Sequence, residues 1–248
     1  MPRIAVSGNL DTFKLPGAYG FSAANKKDLG ASEYTLVTLV VDDSGSVHSF
    51  RANMEKAIKE VVMACRQSVR ADNLMIRVVT FSNALYEFHG FKLLENCNAD
   101  DYTGILNKGG STTLFDSIIN GVDATTAYGK SLVTSKFIAN GIVVIITDGQ
   151  DWGSSQTLND VANSLKNAKN KECLESLLTI LIGVNVQDAG IARYLADIKT
   201  QANIDQYVEL DNADAATLAK LANFIKNSVL SQSVALGTGG PSKSLTFN

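Results

Sequence analysis

Cysteine, basic charge and long apolar runs are all scarce in this chain of 248 residues, and each scarcity removes a class of function. Three cysteines, Cys65, Cys97 and Cys173, are an odd number at wide spacing and form no Cys-x-x-Cys pair, so neither a disulfide framework nor a thiolate metal site is indicated. Reduced, buried thiols in a cytoplasm are the expectation. The formal charge of -3 and a pI near 5.4 leave no broad basic field, which argues against a nucleic-acid binder that works by neutralising phosphates. The amino-terminal residues lack the continuous apolar segment of a secretory signal, and no later stretch has the length to cross a bilayer. A soluble cytoplasmic protein without a membrane partner is therefore expected.

Nucleotide signatures are missing too. Gly129-Lys130-Ser131 invites comparison with a phosphate-binding loop, but the residue five before Gly129 is Ala124 rather than Gly, and the segment follows a helix instead of joining strand to helix. No Gly-x-Gly-x-x-Gly follows the first strand, so a dinucleotide cofactor has little support.

What is present is a 45% hydrophobic, 19% charged chain able to bury a full core as one globular domain. Residues 1–33 read as an irregular arm in which Phe13, Leu15, Tyr19 and Phe21 could cover an exposed edge. From Tyr34 to Val41 a β-branched and leucine run marks a strand buried on both faces. Phe50, Met54, Ala57, Ile58, Val61, Val62, Cys65 and Val69 then recur at helical spacing. Strands are predicted at 74–81, 141–147, 177–184 and 207–210, with helices near 112–128, 157–168, 191–202 and 213–230. The more polar 85–89 reads as a short edge strand. Lys166, Lys169 and Lys171 read as a solvated helix end. Residues 231–248 lose periodicity and read as a flexible tail. The alternation predicts an α/β fold with a doubly wound, mostly parallel, Rossmann-like sheet, helices on both faces and one antiparallel edge strand. The domain proper is 34–230.

Five oxygen-bearing side chains stand where the strand-like runs give way to turns or helices: Asp42, Ser44, Ser46, Thr112 and Asp148. An oxygen-only set suits a hard cation such as Mg2+ far better than zinc or copper. Ligands of open parallel sheets bind beyond the carboxyl ends of the strands, which is where Asp42 and Asp148 fall. Gly45, Gly109 and Gly110 allow the sharp bends and close approach such a site requires. The plain alternative is helix capping, since Ser, Thr and Asp all favour helix starts. Asp43 and Asp151 read as rim acids or solvated loop acids, His48 as a base over the ion or an exposed first-turn residue, and His89 as half-buried at an edge. Trp152 reads equally as an exposed contact anchor or a packed loop residue.

Asp42-x-Ser44-x-Ser46, Thr112 after a Gly-Gly turn, and Thr147-Asp148-Gly149, in that order, resemble the metal-ion-dependent adhesion site of von Willebrand factor A domains, over roughly residues 34–230. The resemblance implies a Mg2+ (with Mn2+ or Ca2+ as other candidates) touched by Ser44, Ser46 and Thr112, with Asp42 and Asp148 acting through bound waters. It further implies a vacancy for an Asp or Glu of a partner protein, and, in some relatives, a shift of the last helix. An intracellular adapter or assembly component is thus expected, with ATPase-containing assemblies among the candidate partners. The alternative is a metal-assisted hydrolase acting on phosphoesters, with His48 or Asp43 activating water. A flavodoxin-like phosphatase would favour Asp-x-Asp, whereas here the acids are adjacent.

Overall fold

A computed structural model describes residues 10–16, 19–170, 173–239 and 244–247, with nothing assigned to the Asn170 side chain. Residues 1–9 and 17–18 of the expected arm, Lys171 of the expected lysine run, and 240–243 and 248 of the expected tail lie outside them.

The strands are β1 (Leu10–Phe13), β2 (Phe21–Ala24), β3 (Glu33–Asp42), β4 (Leu74–Phe81), β5 (Leu85–Leu93), β6 (Ile138–Thr147), β7 (Leu177–Val184) and β8 (Gln206–Leu210). The helices are α1 (Arg51–Arg66), α2 (Leu114–Thr134), α3 (Leu158–Asn170), α4 (Ala189–Ala202) and α5 (Ala215–Thr238). One sheet runs in the order β1-β2-β5-β4-β3-β6-β7-β8, antiparallel at β1/β2 and β4/β5 and parallel elsewhere. This is the doubly wound α/β architecture expected.

Period-two alternation in the central strands divides the core. Val37, Leu39 and Val41 of β3 and Ile142, Val144 and Ile146 of β6 face α1 and α5. Val40, Val143 and Ile145 point the other way, toward α2, α3 and α4. The run of β-branched residues is thus explained by burial on both faces. On α1, Met54, Ala57, Ile58, Val61, Val62 and Cys65 are buried as their spacing predicts. Val69 departs from the expectation, because the helix ends at Arg66 and leaves it fully exposed.

Further expectations need correction. In its described part the arm is not irregular: β1 and β2 pair antiparallel and extend the sheet past β5. Phe13 stacks on Phe21 at 4.8 Å, and Phe21 meets Phe91 of β5 edge-on at 6.2 Å, so Phe13 and Phe21 of the arm do cover an edge. Consequently β5 is an interior strand, longer than 85–89. Its polar look comes from Glu87, which is buried and accepts from the Arg77 Nε at 2.7 Å and from the Ser22 amide at 2.8 Å. His89, expected to be half-buried, is 2% exposed for the same reason.

The helix α5 continues through residues 231–238, where a flexible tail was expected. Its last turns carry a buried polar face instead of an apolar one, so hydrophobic periodicity could not show it. Asn140 Nδ2 donates to the Gln232 carbonyl at 2.8 Å, and Arg70 Nε donates to Ser233 Oγ at 3.1 Å. Beyond it, Phe247 packs on Phe224 with ring centroids 5.6 Å apart. Lys169 is no freely solvated helix end either, since its Nζ lies 2.6 Å from Asp205 Oδ1. Among the described residues no helix is long and apolar enough to cross a membrane.

Candidate functional site

The strands β3 and β6 are neighbours at the middle of the sheet, paired in parallel through Val41 and Ile146. Their carboxyl ends therefore deliver Asp42 and Asp148 to one place despite the intervening chain. Thr147 Oγ1 donates to Asp42 Oδ2 at 2.6 Å, and the Ser44 amide donates to Asp42 Oδ1 at 2.8 Å. Ser44 Oγ and Ser46 Oγ share a hydrogen at 3.1 Å, and Ser46 Oγ donates to Asp148 Oδ1 at 2.8 Å. Four of the five sequence-predicted residues thus form one hydrogen-bonded cluster.

Thr112 reaches the same place by its backbone. The loop before it is zipped onto the Asp42 loop by Gly45 N to Gly110 O at 3.1 Å and Gly109 N to Asp43 O at 2.9 Å. The next residue, Thr113, donates its amide to Ser82 O at 3.0 Å, while the Thr112 carbonyl accepts from Trp152 N at 2.8 Å. Thr112 is therefore held between the first and third loops, 6% exposed, with its hydroxyl outside the serine-aspartate hydrogen bonds. Gly110 is required here: its φ of +107° suits glycine, and a Cβ would stand 2.5 Å from Asn83 Oδ1.

The other candidates fall into place around this cluster. Asp43 is neither a rim acid nor a solvated one: it is 3% exposed, and its Oδ2 accepts from the Asn107 and Lys108 amides, both at 3.0 Å. Asp151 Oδ1 accepts from the Phe115 amide at 3.1 Å, at the first turn of α2. His48 is exposed in the turn Ser46–Ser49 and meets Arg51 Nη2. Trp152 is 74% exposed, which decides between its two readings in favour of exposure. Capping does not account for the set, because the residues at the starts of α1 and α2 are Phe50 and Thr113, and neither makes a side-chain cap bond.

Sequence reasoning passed over Asn83 and gave Thr147 no role beyond its place in the motif. Thr147 orients Asp42, and Asn83 pins the second loop by accepting from the Ser111 amide at 2.6 Å. Both stand at or just beyond a strand's carboxyl end, the signal that singled out Asp42 and Asp148.

Electrostatically the site is short of positive charge. Burial pushes Asp42 up from 3.8 to about 6, against the hydrogen bonds from Thr147 and Ser44, and the Asp148 charge adds to the rise. Burial also raises Asp148, with the Ser46 hydrogen bond opposing it. Among the described residues no Lys, Arg or His forms an ion pair with either carboxylate. Two buried acids with hydroxyls beside them fit a hard divalent cation, which would supply the missing charge and prefers oxygen donors. Asp42, Ser44, Ser46, Thr112 and Asp148 are the residues that could hold it.

The sequence model of the von Willebrand factor type A domain matches residues 37–224. No curated protein matches the sequence. Among solved structures, the chain is similar to the PilB minor pilin from Streptococcus sanguinis, with a TM-score of 0.59 and 16% identity over 85% of this chain and 64% of that one. It is similar also to the pilus adhesin SpaC from Lactobacillus rhamnosus GG, with a TM-score of 0.61 and 12% identity over 81% of this chain and 31% of that one. Proximal thread matrix protein 1 from the mussel byssus gives a TM-score of 0.52 and 15% identity, over 79% of this chain and 46% of that one. The chain spans less than two thirds of each of these proteins, and at such identities the likeness is one of fold.

Proposed function

The chain belongs to the von Willebrand factor type A domain family, and from that premise we propose that it is a non-catalytic, Mg2+-dependent protein-interaction module gripping an acidic residue of a partner. The observation that carries the proposal is the pair of buried carboxylates, Asp42 and Asp148, joined through Ser44 and Ser46 at the ends of adjacent central strands, with no basic partner among the described residues.

In this reading Ser44, Ser46 and Thr112 would offer hydroxyl oxygens to the ion, and Asp42 and Asp148 would balance its charge through bound water. Bound Mg2+ supplies an electrophilic vacancy that an external carboxylate can fill. The protein's part is to keep that vacancy attractive. Neutral hydroxyls leave the charge of the ion largely intact, and Thr147 and the Ser44 amide hold Asp42 facing the serines instead of toward solvent. Metal and partner binding are then coupled, each strengthening the other.

We further propose that the partner is a protein of a cytoplasmic assembly, ATPase-containing machines among them; the three free, buried thiols support a reducing setting. The hydrolytic alternative gains no observation of its own, since His48 meets Arg51 and Asp43 is spent on two backbone amides.

Calorimetric titration of Mg2+ into EDTA-stripped, dialysed protein tests the proposal. Saturable binding is expected in the wild type and should vanish in a folded Asp148→Ala variant. Equal binding by both proteins refutes it.

A further inference from the structure

The loops that carry the proposed cation site also carry side chains that its hydrogen-bonded cluster does not use. Trp152, the single tryptophan of the chain, is 74% exposed, yet its amide is fixed to the Thr112 carbonyl at 2.8 Å. A large ring is thus anchored beside a candidate ligand residue with most of its surface in water. Beside the first two loops stand His48, Arg51 and Lys108. Arg51 Nη1 donates to Leu106 O at 3.3 Å and its Nη2 meets His48. Lys108 Nζ donates to Asn107 Oδ1 at 2.7 Å and lies 5.5 Å from the centre of the Tyr86 ring. Among the described residues neither Arg51 nor Lys108 has an ion-pair partner. Asp43 turns its Oδ2 to the Asn107 and Lys108 amides. The charges of Arg51 and Lys108 act on Asp43, opposing the rise that burial gives it, so in a protein of net charge -3 the first two loops carry a local basic set.

Resting on the reading above, we infer that this rim selects the partner: it takes a protein segment in which the metal-binding carboxylate is flanked by a second acidic side chain, set against Arg51 and Lys108, and by an aromatic or aliphatic one, laid on Trp152. A single vacancy on an ion distinguishes little, because every protein surface carries carboxylates; discrimination has to come from neighbouring contacts. Tryptophan and arginine are the residue types that dominate such contacts, and charge complementarity speeds encounter and imposes salt dependence.

The test uses the full chain, immobilised with Mg2+, and a library of random linear peptides eluted with EDTA. Enriched peptides should share an Asp or Glu accompanied by a further acid and an apolar side chain. Trp152→Ala, at an exposed side chain, should weaken the selected peptides by about tenfold while Mg2+ affinity by calorimetry stays unchanged, and Lys108→Glu should weaken them to a similar degree. Lys108→Glu should also flatten their salt dependence. Peptides that elute with EDTA but lack these flanking preferences, or that bind both variants as tightly as the wild type, overturn this inference and leave the metal reading standing. The absence of any EDTA-elutable peptide, together with no Mg2+ heat, overturns both.

Discussion

Replacing Asp42 with asparagine should make the cation-free protein more stable while removing its ability to hold the cation. Asp42 is fully buried, and burial raises its carboxyl from 3.8 to about 6. Between those values the folded protein keeps a proton that the unfolded chain has lost. The contribution of this group is therefore most favourable below pH 3.8 and is lost as the pH rises through about 6. At pH 7 the ionised carboxylate costs about 3 kcal/mol, two pKa units and a little more at 1.36 kcal/mol each. Asparagine keeps an acceptor for the Ser44 amide and, with the Thr147 hydroxyl turned, a donor to its oxygen, so the change removes charge with little loss of hydrogen bonding. In EDTA at pH 7, Asp42→Asn should melt roughly 6–12 °C above the wild type. At pH 5 the gain should shrink to about half, because most of the wild-type molecules already carry the proton. Mg2+ at a thousandfold over Kd should reverse the order, since binding then adds about 4.1 kcal/mol to the wild type alone, more than the burden that asparagine removes. Thermal melts read by circular dichroism across these conditions decide the matter. An asparagine variant less stable than the wild type in EDTA at pH 7 would refute the reasoning, for the buried charge would then not be the burden that its burial implies.

Other consequences follow from the same physical account. Glu87→Leu strands the 1%-exposed Arg77 and leaves the Ser22 amide unpaired, so urea unfolding should show a loss of about 3–5 kcal/mol, with much of it recovered in the Arg77→Met/Glu87→Leu double variant. His89, its Nδ1 on Gly90 O and its Nε2 on Tyr102, is held down to about 4 by burial, with Lys92 and Arg77 adding to the effect. Its contribution is complete above pH 6.5 and is lost as the pH falls toward 4, by about 3 kcal/mol in all; the stability difference between wild type and His89→Gln should narrow over that interval, and a constant difference would contradict it. Gly110→Ala, at a φ of +107° and against Asn83, should cost about 1–3 kcal/mol in backbone strain and weaken Mg2+ binding in calorimetry, because it displaces the loop that carries Thr112.

Strand ends were the most readable part of this chain. Asp42 and Asp148 follow unbroken β-branched runs, and burial of β3 and β6 on both faces makes those runs conspicuous, so both the central sheet and the place where its loops converge could be inferred before any coordinates. Misreadings arose wherever polar residues are buried. Glu87 marked β5 as an edge because its partners lie elsewhere in the chain: Ser22 is 65 residues away and belongs to a segment with scattered apolar groups of its own. Ser233 and Gln232 disguised the end of α5 in the same way, with Arg70 standing 163 residues from Ser233. Hydrophobic periodicity reports apolar burial only, and a hydrogen bond satisfied across the fold leaves no local pattern. Asp43 shows a subtler limit, since an acid beside the motif serves the Asn107 and Lys108 amides instead of the pocket.

Diffraction from crystals soaked in Mn2+, recorded at a wavelength where manganese scatters anomalously, addresses the convergence of these residues on one ion most directly. The account predicts a single strong peak within about 2.0–2.3 Å of the Ser44, Ser46 and Thr112 hydroxyls, with Asp42 and Asp148 behind bound waters. A peak coordinated elsewhere, or none at this position in millimolar Mn2+, would contradict it.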